Sequence, residues 1–175
     1  SICKYFNCRC IVGYFQIKNF TLPYLQAALD LGAETFKTSN PRLSIGRAHL
    51  LRYMQSLNGL LLPFGLDSIE TVTAVSNEAS TVKDEYFTGS LVLSAGSGVT
   101  LSGILLSLYS RLCVKPKIYG ITLGQKPSKI YATINKYIRL KHITHLNLID
   151  PILPYREACN IPCPFPSNPY YDRKA

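Results

Sequence analysis

The chain has 175 residues, 47% of them hydrophobic, with 19 Lys and Arg against 10 Asp and Glu and a formal charge of +9. That apolar mass suffices for one domain core, or one core and part of another, and excludes a disordered or low-complexity chain. The most apolar stretch, residues 89–108, is interrupted by Gly, Ser and Thr and by a central turn, which excludes a membrane span in favour of a buried strand and helix.

In chain order, residues 10–15 read as a strand and 22–31 as a helix, with Thr21 before it, Pro23 in its first turn and Gly32 at its end. Residues 34–38 form a short strand, 43–57 an amphipathic helix and 60–62 a further strand. A helix over 68–82 is capped by Asp67 or Ser68. Residues 91–93 are a strand, 100–112 a helix, 117–121 a strand and 127–140 a helix, while 143–166 read as irregular. The prolines at 151, 154, 162, 164, 166 and 169 make the tail extended. This alternation predicts an α/β protein with parallel sheets covered by helices, whose ligands sit beyond the carboxyl ends of the strands.

Ser94-Ala95-Gly96-Ser97-Gly98-Val99-Thr100 falls at such an end, where a strand passes through small residues into a helix. Glycines leave the turn without bulk, Ser97 and Thr100 add hydroxyl donors, and the opening helix offers unpaired N–H groups and a positive dipole end to an anion. Small-residue turns also serve close packing alone. No Lys follows Gly98, so the run is not a Walker loop. Gly96, Gly98 and Gly103 depart from the dinucleotide spacing, and residues 115–130 hold no acid, which leaves a single phosphate, as on a small cofactor, as the best fit.

At the far end, Asn168-Pro169-Tyr170-Tyr171-Asp172-Arg173-Lys174-Ala175 sets two tyrosines beside a carboxylate. With the glycine turn, and with Pro63-Phe64-Gly65 ahead of it, this resembles the pyridoxal-phosphate enzymes of tryptophan synthase β-subunit type (fold type II), nearest the branch of aminocyclopropane-carboxylate deaminase and D-cysteine desulfhydrase. Ser94 to Gly103 is similar to that family's Ser-Gly-Ser-Gly-Gly-Thr-x-x-Gly loop, and residues 168–175 to its Asp-Pro-Val-Tyr-x-Gly-Lys-Ala segment. The resemblance implies a two-domain tryptophan synthase β-like fold, with residues 1–60 part of the smaller α/β domain and 61–175 the larger, cofactor-binding one. It implies pyridoxal 5′-phosphate as cofactor, with its phosphate taken by Ser94, Gly96, Ser97, Gly98 and Thr100. Tyr171 is implied as the catalytic tyrosine, and Asp172 as the acid facing the pyridine nitrogen. The implied activity is that of a lyase, deaminase or β-replacement enzyme on an amino acid, in a cytoplasmic homodimer with no membrane partner.

Val99, Arg173 and Asn168 depart from the family pattern, and nothing matches the Gly-Asn-Lys segment whose lysine carries the cofactor; Lys4 and Lys18 lack its flanks. The expectation is therefore a fragment of a longer enzyme, inactive alone, whose missing parts include that lysine and the last helix. A non-catalytic phosphate-binding α/β module is the alternative. A nucleic-acid-associated protein is a third reading, from Lys115, Lys117, Lys126, Lys129, Lys136, Arg139, Lys141 and Arg156, although a solvated helix face accounts for these as well. Tyr131 and Tyr137, between those lysines, are expected to anchor their helix to the sheet. The six cysteines match no zinc spacing and read as reduced, mostly buried thiols.

Overall fold

The computed structural model describes residues 2–15, 23–38, 42–111, 116–138, 145–153, 157–162 and 164. The chain separates into two compact units, Ser1–Leu62 and Pro63–Ala175.

In the first unit, α1 (Ile2–Tyr5) precedes β1 (Ile11–Phe15), α2 (Pro23–Asp30), β2 (Glu34–Thr38) and α3 (Leu43–Ser56). The strands pair in parallel, Ile11 beside Glu34 and Phe15 beside Thr38. Helix α2 stops where Gly32 turns left-handed, as its sequence predicts. Leu50 of α3 lies over Gly13, and Tyr53 stacks on Phe36 with ring centroids 4.5 Å apart. The predicted strand at 60–62 does not form. Leu60 and Leu62 are exposed, and Pro63 removes the next N–H that a ladder would use.

The second unit is a three-stranded parallel sheet in the order β3 (Ser90–Ala95), β4 (Lys117–Thr122), β5 (Leu146–Ile149), crossed by α5 (Val99–Ser110) and α6 (Pro127–Tyr137), with α4 (Ile69–Ser80) packed on α5. This is the α/β arrangement expected of alternating strands and helices. Strand β5 lies inside a region that reads as irregular. Its four residues alternate Leu-Asn-Leu-Ile, too short a pattern to stand out, and pairing with β4 makes them a strand. The helices end earlier than their periodicity, because Ile138 turns extended and Ser80 gives way to the short 3₁₀ helix Asp84–Phe87. Ser68, not Asp67, caps α4, its hydroxyl accepting the Thr71 N–H at 3.3 Å.

The core joins Ala95, Leu101, Leu105, Leu108, Ile118, Ile130, Ile134 and Ile138 between sheet and helices. Arg111, at the end of α5, donates to the carbonyls of Ala79 and Val82 at 2.8 Å each, pairs with Asp84 and lies over the Phe87 ring, tying the end of α4 to α5. Helices α4 and α5 cross at Gly103, where a Cβ would stand 2.5 Å from Val75 Cβ and 2.8 Å from the Val72 carbonyl oxygen. Gly103, part of the family-like run, therefore serves helix packing. Among the described residues no helix is long and apolar enough to cross a membrane. Of the described cysteines, Cys159 is buried, Cys3 and Cys10 are half-buried and Cys8 is exposed, so these thiols are not mostly buried. Their sequence neighbours explain it, since Cys8 and Cys10 flank Arg9, whose guanidinium faces solvent with Glu34.

In an exposed helix Gly→Ala stabilises by about 1 kcal/mol. Gly103→Ala is expected to do the reverse, lowering unfolding free energy by about 2 kcal/mol because α4 and α5 must separate. Urea unfolding followed by circular dichroism checks this, with a midpoint below that of the parent chain.

Candidate anion site at the carboxyl end of the second sheet

Parallel pairing sets the ends of the strands level. Ala95 pairs with Thr122, and Ile121 with Ile149, so the segments leaving β3, β4 and β5 emerge along one edge. The Leu123 N–H donates to the Ala95 carbonyl at 3.2 Å, closing the edge between β3 and β4. Thr122, 2% exposed, donates its hydroxyl to Asp150, which follows β5.

From β3 the chain turns through Gly96, Ser97 and Gly98 into α5. Gly98 is the N-cap, at φ 89° and ψ −3°, a left-handed conformation. It brings no capping side chain, and the first turn of α5 holds no acid. The first ladder bond runs from the Ser102 N–H to the Gly98 carbonyl at 2.9 Å, and the Ser102 hydroxyl donates to the same oxygen at 2.8 Å. The N–H groups of Val99, Thr100 and Leu101 thus precede the ladder, and among the described residues only Val99 is near a side-chain acceptor, Ser97 Oγ at 3.5 Å. A helix start with free donors, a positive dipole end and no acid accepts an anion.

The walls of the turn come from elsewhere in the same unit. A Cβ on Gly98 would lie 3.2 Å from the Ile130 carbonyl oxygen and 3.5 Å from Thr133 Cβ, so α6 runs directly against it. On the other side is Gly65, at φ 68°, where a Cβ would stand 2.7 Å from Ser97 Oγ. Asp67, two residues on, accepts from the Tyr137 hydroxyl at 2.6 Å and from Lys136 Nζ at 3.2 Å. The Tyr137 hydroxyl, then Lys136, holds the Asp67 carboxyl below its ordinary value, while burial, then Asp67, pushes the Tyr137 hydroxyl up.

Of the residues predicted for the site, Ser94 sits in β3 one position before its end, Gly96 and Ser97 form the half-buried turn, Gly98 is buried and Thr100 is exposed at the second position of α5. Tyr171 and Asp172 lie outside the described residues. The sequence assigns Ile130, Thr122 and Asp150 no part in this site, and reads Lys136 and Tyr137 as a basic surface residue and a helix anchor. All are distant in the chain, and no local pattern marks them. Tyr137 does pack against the core, as expected of an anchor, but its hydroxyl goes to Asp67. Of the basic run, Lys117, Lys126, Lys129 and Lys136 are described and exposed; Lys115, Arg139, Lys141 and Arg156 are outside the described residues.

The first unit carries a separate recess of about 690 Å³ lined in part by Cys3, Cys8, Cys10, Arg9 and Asp30. Burial, then the neighbouring Cys3, pushes the Cys10 thiol up, away from a reactive thiolate, and Arg9 is occupied by Glu34. Among the described residues no group of three or more His, Cys, Asp or Glu side chains could hold a metal ion.

The architecture matches a crystal structure of an ACC deaminase homologue, with a TM-score of 0.74 at 20% sequence identity over 99% of this chain. The chain spans 61% of that structure's length. No protein-family model matches the sequence, and no curated protein does.

The grip on Asp67 has a pH signature. A depressed folded-state value contributes stability above the ordinary carboxylate value of 3.8, which is lost as pH falls through the lowered one. Tyr137→Phe is expected to cost about 1 kcal/mol at neutral pH, a figure already discounted for the partial exposure of Asp67. The gap between parent and variant should narrow on acidification below 3.8, as read by urea unfolding at the two pH values. A gap constant with pH would assign the cost to packing.

Proposed function

We propose that the chain belongs to a pyridoxal-phosphate-dependent enzyme acting on an amino acid by elimination, deamination or β-replacement, and that the turn 96–98 holds the cofactor's phosphate. The observation that carries this reading is the left-handed Gly98 N-cap, with Gly96 and Ser97 before it and an acid-free first turn after it, at the carboxyl end of a parallel sheet. The described residues fit a phosphate in charge and in donors. The first turn of α5 holds no acid, and Gly98 supplies a left-handed turn close under α6 that a Cβ would crowd against Ile130. The fold likeness to an ACC deaminase homologue supports the same reading, as does the family-like tail.

Pyridoxal 5′-phosphate, when bound, supplies a ring that withdraws electrons from the carbon beside the substrate's nitrogen. Within this chain, the N–H groups that open α5 and the hydroxyls of Ser97 and Thr100 would bind and orient the phosphate, joined by Ser94, one position before the end of β3. Tyr171 moves a proton at the bound amino acid, and Asp172 holds a proton on the pyridine nitrogen. The absence of a Gly-Asn-Lys match favours one alternative, a phosphate-binding module without catalysis.

Pyridoxine 5′-phosphate tests the phosphate site, because it lacks the aldehyde that reacts with surface lysines. Calorimetry should show it binding, with unphosphorylated pyridoxine at least about tenfold weaker. Gly98→Ala, strained at φ 89° and crowded by Ile130, should abolish the preference, and Thr100→Val should weaken binding about fivefold. Equal binding of the two pyridoxines would overturn the assignment of the turn.

A further inference from the structure

Two residues in succession before α4 are left-handed. Gly65 has φ 68° and Leu66 φ 52°. For leucine this conformation is costly, and Leu66 is 47% exposed, so its own packing does not repay the strain. Local bonds close the segment, from the Leu66 N–H to the Pro63 carbonyl at 2.9 Å and from the Ser68 N–H to the Leu66 carbonyl at 2.8 Å. The long-range hold is at Asp67, gripped by Tyr137 at 2.6 Å and Lys136 at 3.2 Å, from the last turn of α6. The same helix, at Ile130 and Thr133, lies against Gly98. Between the two contacts sits Ser97, against which Gly65 is pressed so closely that no side chain would fit. The contacts form a closed ring running from α6 to Asp67, Gly65, Ser97, Gly98 and back to α6.

From this ring we infer that Asp67 is a positioning residue for the anion site: held by Tyr137 and Lys136, it presses Gly65 against Ser97 and so fixes the hydroxyl and N–H groups of the turn. This rests on the reading of the turn as a phosphate site. Asp67 never touches the anion in this scheme, which spares the site a carboxylate next to a phosphate. Strain at Leu66 is sustained because Asp67 is anchored, which is how strained backbone persists beside a binding site. A role confined to starting α4 would leave Ser97 unaffected, since Ser68 already caps that helix.

The test compares the parent chain with Asp67→Ala, Tyr137→Phe and Asp67→Asn by amide hydrogen exchange and by calorimetry with pyridoxine 5′-phosphate. Asp67→Ala and Tyr137→Phe should speed exchange at residues 97–100 relative to the core of β4, and weaken binding about fivefold. Asp67→Asn keeps an acceptor for the Tyr137 hydroxyl and should restore both readouts to near the parent values. Exchange at 97–100 unchanged in Tyr137→Phe, which keeps the ring and its packing, would overturn the inference even if Asp67→Ala fails to fold. Parent-like binding in both variants would overturn it while leaving the phosphate site standing. Failure of the parent chain itself to bind would remove the phosphate reading and this inference together.

Discussion

The conformation of Gly98 is the constraint on which the rest of the site depends. A chain leaving β3 must reverse within three residues to enter α5, and it does so through a left-handed residue buried under α6. Only a residue without Cβ adopts that φ cheaply and leaves Ile130 where it is. The helix then starts after a turn of three residues beyond the strand end, with no side chain at its N-cap for its first N–H groups. Replacing the cap by Ser or Asp, the usual choice for a helix start, would satisfy those donors internally and remove the site.

The packing of the second unit serves this geometry at several removes. Gly103 lets α4 lie close on α5, and Arg111 locks the far end of the same pair through two carbonyls, Asp84 and Phe87. With α5 fixed at both ends, its start cannot drift from β3. The fully buried Ile130 and Ile134 seat α6 on the core, so the residues it presents to Gly98 and Asp67 keep a constant separation. The precision of the candidate anion site therefore comes from the apolar core beneath it.

The match to an ACC deaminase homologue at 20% identity speaks to architecture. What speaks to chemistry is narrower: a helix start stripped of acids, hydroxyls at 97 and 100, and a glycine where bulk would intrude.

Local residues determined most of the secondary structure. The run 34–38 is a strand with the predicted ends, Gly32 stops α2, Ser68 caps α4, and the small residues 96–98 mark the turn into α5. Each is legible because its cause lies within a few residues: a β-branched or apolar alternation, a hydroxyl one position before a helix, a glycine where φ must be positive. Tertiary structure decided what depends on distant partners. Residues 146–149 become a strand only because β4 offers an open edge, while 60–62, more apolar still, have Pro63 beside them and stay unpaired among the described residues. Asp67 reads as a helix cap and instead meets Tyr137, seventy residues away in the chain. Gly103 reads as part of a phosphate loop and instead admits Val75. A side chain's local preferences are written in its neighbours along the chain, whereas its partner in space is settled by how helices and strands stack, and that is a property of the folded whole.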